Sequence, residues 1–208
     1  MMKKIILASN NKHKIEEIQA ILTDLDFEVK SLKDEGINIE VEEDGETFEE
    51  NAKKKATEIA QYLIDRGDKE FIVLADDSGL QVDYLNGAPG VYSARYAGEH
   101  GNDRKNNEKL LYELKGIDMA HRNAKFVCQL ALINDKGQYL AITGEVEGKI
   151  LEKLSGKEGF GYDPLFFYEP LNKTFGELSS EEKNRVSHRS NALGILKQRI
   201  GEMLWLLQ

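Results

Sequence analysis

Phe71-Ile-Val-Leu-Ala-Asp-Asp-Ser-Gly-Leu80 is the stretch on which the reading of the fold turns. Its apolar start reads as a buried strand, which Asp76, Asp77, Ser78 and Gly79 are expected to end. Successive strand residues alternate faces, so Asp76 and Asp77 should point in different directions. One carboxylate can then turn toward a cleft while the other braces the loop. Gly79 permits a backbone turn that other residues resist. The carboxyl ends of strands are where open α/β sheets bind ligands. A carboxylate there is placed to hold a divalent cation and activate water. Taken alone, the tetrapeptide fits a simple Asp/Ser/Gly turn equally well.

Working outward, strand and helix patterns alternate through the first half. Lys4 to Ala8 reads as a strand, and Ile15, Ile18, Ile21 and Leu22 follow at helical spacing. Phe27 to Lys30 is a short strand. Thr47-Phe-Glu-Glu50 fits a capping box that starts a helix. Ala52, Ala56, Ile59, Ala60 and Leu63 form that helix's apolar stripe, and Arg66-Gly67-Asp68 ends it. This rhythm predicts an α/β core with some parallel strands. Farther on, Phe126–Ile133 and Tyr139–Val146 flank Asn134-Asp-Lys-Gly-Gln138, a hairpin signal that makes the sheet mixed. Residues 87–101 and 155–164 read as ordered, glycine-containing loops. A last helix is expected from about Ser190 to Leu206, with Leu193, Leu196, Ile200, Met203, Leu204 and Leu207 facing the core. No repeat or linker interrupts the chain, so residues 1–208 read as a single domain.

The 208 residues are 40% apolar and 31% charged, the composition of an ordinary globular chain. A net charge of −9 argues against a nucleic-acid or membrane-surface binder. A small anion remains compatible, because local lysines or a metal can overrule the global field. The single cysteine, Cys128, lies in an apolar run and reads as a core residue. The apolar run in Met1-Met-Lys-Lys-Ile-Ile-Leu-Ala8 is too short for a signal-peptide core. No segment approaches the length of a membrane-spanning helix. The cytoplasm is therefore the expected location.

Four further clusters point to chemistry. Ser9-Asn-Asn-Lys-His-Lys14 lies between a strand and a helix, where backbone amides and the helix dipole favour phosphate. Residues 3–14 carry four lysines and no acid in an otherwise acidic chain. The run from Asp34 to Glu50 holds nine carboxylates and no basic residue. Most of these are solvated, but Glu42-Glu43-Asp44 precedes the Thr47 cap. An acid there can join Asp77 around Mg²⁺, which takes one or two protein carboxylates plus phosphates and water. Gly159-Phe-Gly-Tyr-Asp-Pro164 sets two aromatic rings and a carboxylate among glycines, suited to stacking on and reading a base. It equally fits an aromatic-anchored loop. Finally, Lys183 and Ser187 are four apart and should share a helical face. His188 follows, and Arg189 brings a planar fork of donors that suits an oxygen better than an amine.

Taken together and in order along the chain, these segments resemble the inosine triphosphate pyrophosphatase family. Its members hydrolyse non-standard purine nucleoside triphosphates such as XTP and (d)ITP. The resemblance runs through Leu7–Lys14, Thr47–Ala52, Ala75–Leu80, Gly87–Arg95, Gly159–Pro164, and Glu182-Lys183 with Ser187-His-Arg189. It implies that Asp77 is the general base and a Mg²⁺ ligand, with Glu42 as the second metal carboxylate beside the equally acidic Glu43. It implies that Ser9, Asn10, Asn11, Lys12, His13 and Lys14 form the loop near the triphosphate, and that Ser78 contacts substrate. Phe160, Gly161, Tyr162 and Asp163 match the strip that stacks on and reads the base. Lys183, His188 and Arg189 match nucleotide contacts, the last two toward the purine 6-oxo group. The implied fold is an elongated mixed β-sheet flanked by helices, with two lobes around a central nucleotide cleft, usually as a homodimer. Many relatives carry glycine where this chain has Asn10 and His13.

Three rivals differ in chemistry. An aspartyl-phosphate phosphatase wants its second acid two residues after the first, on the first strand. A Maf-like pyrophosphatase also begins with a Leu-Ala-Ser strand end but follows it with a Ser-Pro-Arg pattern absent here. A non-catalytic nucleotide-binding protein would bind without turnover.

Overall fold

The computed structural model describes residues 3–205, with side chains described for 4–201. In chain order the elements are β1 (Lys3–Leu7), α1 (Lys12–Ile21), β2 (Phe27–Ser31), α2 (Phe48–Arg66), β3 (Phe71–Val82), α3 (Asp103–Glu113), β4 (Asn123–Asn134), β5 (Tyr139–Ile150), β6 (Phe166–Tyr168), β7 (Lys173–Thr174), α4 (Ser180–Val186) and α5 (His188–Trp205). The strands order as β2-β1-β3-β4-β5-β6-β7. β1 runs parallel to both β2 and β3, with Ile5 opposite Val29 and Ile6 opposite Val73. β6 is antiparallel to β5 and to β7. The expected mixed sheet with flanking helices is therefore present.

Alternation along β1 and β3 explains the layers. Ile5, Leu7, Ile72 and Leu74 face one side, against Ile18 and Leu22 of the α1 region and Leu193 and Leu196 of α5. Ile6, Val73 and Ala75 face the other, against Ala52, Ala56, Ile59 and Leu63 of α2. Each such Leu, Ile or Val buried is worth roughly 1.5–3 kcal/mol. α2 starts in the predicted capping box, in which Glu50 N donates to Thr47 Oγ1 and Thr47 N to Glu50 Oε2. It ends at Gly67, whose φ of 90° closes the helix on Leu63 and Ile64. The expected core positions Met203, Leu204 and Leu207 lie outside the residues whose side chains are described.

Contacts divide the chain into two compact units. One comprises Met1–Asp77, Cys128–Gly144 and Arg189–Gln208; the other comprises Ser78–Val127 and Glu145–His188.

Two local expectations are corrected. Asp76 to Gly79 do not end the strand, because β3 runs for twelve residues from Phe71 to Val82. The backbone stays extended since the buried carboxylates find cationic and amide partners along the strand, and Leu80 N donates to Ser93 Oγ. Ser187 also leaves the helical face of Lys183. α4 stops at Val186, and Ser187 is extended at φ −77°, ψ 160° before α5 begins.

Candidate active site

The pairing of β1 with β3 ends at Leu7 opposite Leu74, and Ala8 N donates to Leu74 O. Asp76 and Asp77 follow after Ala75, just past the end of the parallel pairing. There the chain leaves β1 and enters α1. Asn11 caps α1, its Oδ1 accepting from Lys14 N. The cap sets Lys14 in the first turn, where its Nζ lies 2.7 Å from Asp76 Oδ1. Asn10 to His13 are exposed and Ser9 is half-buried.

Asp76 is a buried hub. Its Oδ2 accepts from Arg189 Nε at 2.8 Å and from Cys128 Sγ at 3.3 Å. Arg189 is itself buried and also pairs with Glu17. Desolvation pushes the Asp76 pKa up, but Arg189 and Lys14 more than reverse it, so the carboxyl is held well below its usual range. Asp76 is thus a fixed anion with its charge already used.

Asp77 faces the other way, as strand alternation requires. Asn51 and Lys55, one turn apart on α2, both reach it. Asn51 Nδ2 donates to Asp77 Oδ2 at 3.1 Å, and Lys55 Nζ lies 3.6 Å from Oδ1. Lys55 also donates to Asp76 O at 2.8 Å and to Glu43 Oε1 at 2.6 Å. Asn51 Oδ1 accepts from Gly45 N, tying the acidic loop to the same helix. Gly45 is required there, because a Cβ would lie 2.8 Å from that oxygen. The Asp77 pKa is raised, chiefly by desolvation, which Lys55 offsets only in part. The two adjacent aspartates are therefore driven in opposite directions. That separation is the mark of a pair with divided roles.

The donor chemistry suits a hard cation. Among the described residues no three metal-capable side chains cluster, so an all-protein cage is not built here. Mg²⁺ does not need one, since one or two carboxylates suffice alongside substrate oxygens and water. Asp77, desolvated and only partly compensated by Lys55, has the donor chemistry such a site asks for. Glu42 is exposed, while Glu43 is half-buried and held by Lys55. Glu43 shares Lys55 with Asp77, and its charge adds to what raises the Asp77 pKa.

The other unit carries the aromatic strip. Asp163 Oδ2 accepts from Phe160 N at 2.9 Å and from Lys183 Nζ at 2.6 Å. The Lys183 ammonium sits 4.5 Å from the Phe160 ring centroid. Gly159 has φ 75°, and a Cβ there would lie 2.1 Å from Asp163 Oδ2. Tyr162 is buried and donates to Ser93 O at 2.8 Å, so it anchors the loop. Phe160 is half-buried. His188 is buried, its ring stacked on Phe126 at 4.8 Å. Ser78 is half-buried.

Asn51, Lys55 and Glu17 were not singled out from sequence. A signal existed for two of them. Asn51 and Lys55 interrupt the buried stripe of α2 beside Ala52 and Ala56, where an unpartnered polar residue would be costly.

A model described as the Ham1 family matches residues 5–199. A dITP/XTP pyrophosphatase of Clostridium perfringens is 59% identical over 203 residues, covering 98% of this chain and 100% of that protein. The dITP/XTP pyrophosphatase of Clostridium tetani is 53% identical and covers 96% of each. The solved Ham1 protein of Staphylococcus aureus superposes with a TM-score of 0.83 at 41% identity, over 97% of this chain and 100% of that one. The resemblance read from the motifs is borne out.

Proposed function

The chain belongs to the Ham1 family, and on that premise we propose that it is a Mg²⁺-dependent pyrophosphatase acting on dITP/ITP and XTP/dXTP. The products are the nucleoside monophosphate and pyrophosphate, and the role is to clear non-standard purines from the nucleotide pool. The observation that carries this reading is the buried Asp77, held by Asn51 and Lys55 beside an Asp76 whose charge is neutralised. Relatives named dITP/XTP pyrophosphatase, matched over nearly their whole lengths, support it.

Asp77 accepts a proton from water as the water oxygen bonds to the α-phosphorus. The bond from that phosphorus to the α–β bridging oxygen breaks, and pyrophosphate leaves with the electron pair. Asp77 and Glu42 would hold Mg²⁺, which when bound neutralises charge on the phosphate oxygens. Lys55 keeps Asp77 within reach of its ionised state, and Asn51 fixes its second oxygen. The segment from Ser9 to Lys14, exposed over Asn10 to His13, offers amides and cations to the triphosphate, and Ser78 contacts substrate. Such transfer depends mainly on positioning and electrostatics.

Phe160 stacks on the base within the strip Phe160–Asp163, with Lys183 as a further contact. His188 and Arg189 donate to a 6-oxo group. The reading extends to a homodimer in the cytoplasm, with the 87–101 loop and its Val91, Tyr92 and Tyr96 as contact surface; Tyr92 is 58% exposed. Among the described residues no helix is long and apolar enough to cross a membrane.

A pyrophosphate-release assay across ITP, XTP, GTP and ATP, with and without Mg²⁺, tests the proposal. Metal-dependent release of pyrophosphate from ITP and XTP is expected. Binding without turnover, or release of orthophosphate alone, would overturn it.

A further inference from the structure

Gly161 is gripped by both of its backbone polar groups from one helix. Its N–H donates to Asp103 Oδ2 at 2.7 Å, and its carbonyl accepts from Asn107 Nδ2 at 2.8 Å. Asp103 and Asn107 are one turn apart on α3, so they present the two ends of a clasp on the same face. Asn107 is 5% exposed, and its Nδ2 also donates to Asp103 O, which ties the two halves together. Gly161 has φ 60°, a backbone state that side chains rarely adopt and that an external grip must select. Its immediate neighbour is Phe160. The same helix turn secures the preceding loop, because Asn106 accepts from Ala97 N and donates to Ala94 O.

We propose that Asp103 and Asn107 are positioning residues for base recognition. They fix the peptide that follows Phe160 and thereby set the plane of its ring. The inference rests on the reading that Phe160 stacks on the base. Asp163 holds Phe160 at its N–H and Lys183 lies over its ring, but without the clasp the peptide on the other side would have to be ordered by each nucleotide on binding. Asp103 is exposed, so its replacement leaves the core intact.

The test is calorimetric binding, without Mg²⁺ so that no turnover occurs, of ITP and of base-free ribose 5-triphosphate to wild type, Asp103→Ala, Asp103→Asn and Asn107→Ala. Losing one net hydrogen bond from the clasp should weaken ITP by about fivefold in either alanine variant. Ribose triphosphate should bind unchanged, and Asp103→Asn, which keeps an acceptor oxygen, should restore most of the loss. Equal weakening of both ligands would mean a merely structural brace and overturn the inference, as would no change in either. If wild type itself binds the two ligands equally, base reading by Phe160 fails first, visible before any variant is made, and the inference falls with it.

Discussion

The ammonium of Lys55 lies 3.6 Å from Asp77 Oδ1, at the tip of a side chain rooted in the apolar face of α2. Desolvation raises the Asp77 pKa, and Lys55 is the largest influence pulling it back down. A general base must be ionised to act. Lys55→Met removes the opposing charge, so the acid limb of the kcat/KM profile for ITP should move to higher pH. Breaking the buried pair should also cost about 3–5 kcal/mol of stability. A limb that stays put would separate Asp77 from the titrating step.

Asp77→Asn keeps the shape and the hydrogen-bonding reach of the side chain but cannot take a proton. Nucleotide binding should survive, while turnover should fall at least about a hundredfold. Single-turnover kinetics with ITP measure both. Near-normal turnover would remove Asp77 from the base role.

Asp76 makes a different prediction, because its pKa is depressed in the fold. A depressed carboxylate contributes stability that is present above its ordinary pKa of 3.8. That stability is lost as pH falls through the lower folded value. Asp76→Asn leaves Arg189 and Lys14 without their buried counter-charge, and should cost about 3–5 kcal/mol at neutral pH. The variant's stability should also fall less steeply below pH 3.8 than that of wild type. Urea unfolding at a series of pH values checks this, and parallel curves would contradict it.

How far the sequence could be read depended on whether a signal was periodic or spatial. The β1, α1, α2 and β3 alternation and the Thr47 capping box are local, so hydrophobic spacing and one cap motif exposed them. The divergence of Asp76 and Asp77 followed from strand alternation alone. The continuation of β3 through Asp-Asp-Ser-Gly did not. It depends on Lys14 and Arg189, which are 62 and 113 residues from Asp76 in sequence. The partner of Asp77 was half legible, since a lysine among the alanines of α2 is an anomaly, but its target is set by packing. The clasp on Gly161 had no sequence signal, because Asp103 and Asn107 look like ordinary residues of a polar helix.

The acidic loop allows Glu42 and Glu43 to be told apart. Glu43 is held by Lys55, whereas Glu42 is exposed. If Glu42 is the second metal carboxylate, Glu42→Gln should raise the Mg²⁺ concentration needed for half-maximal rate. Removing one of two ionic ligands should do so by at least about tenfold, the low end of the losses seen for supporting groups around metals. Glu43→Gln should leave that value near wild type. A Mg²⁺ titration of ITP hydrolysis in the two variants decides, and the reverse pattern would move the ligand to Glu43.

Selectivity should follow from which hydrogen bonds are left unmade. On the proposed reading of the base, a 6-oxo purine would accept from His188 or Arg189, whereas adenine would present an amine donor to the same groups. Donor facing donor in a dry site costs ~1–3 kcal/mol, or roughly 5- to 150-fold in kcat/KM. ITP should therefore exceed ATP by that range, and His188→Ala should narrow the gap by lowering the rate with ITP more than with ATP. His188 also stacks on Phe126, so its loss costs stability, but a general loss would lower both substrates together and leave their ratio intact. GTP shares the 6-oxo group and escapes this filter, so any preference for ITP over GTP must arise at the 2-position. Equal kcat/KM for ITP and ATP in wild type would sink the proposal that this site reads the base at position 6.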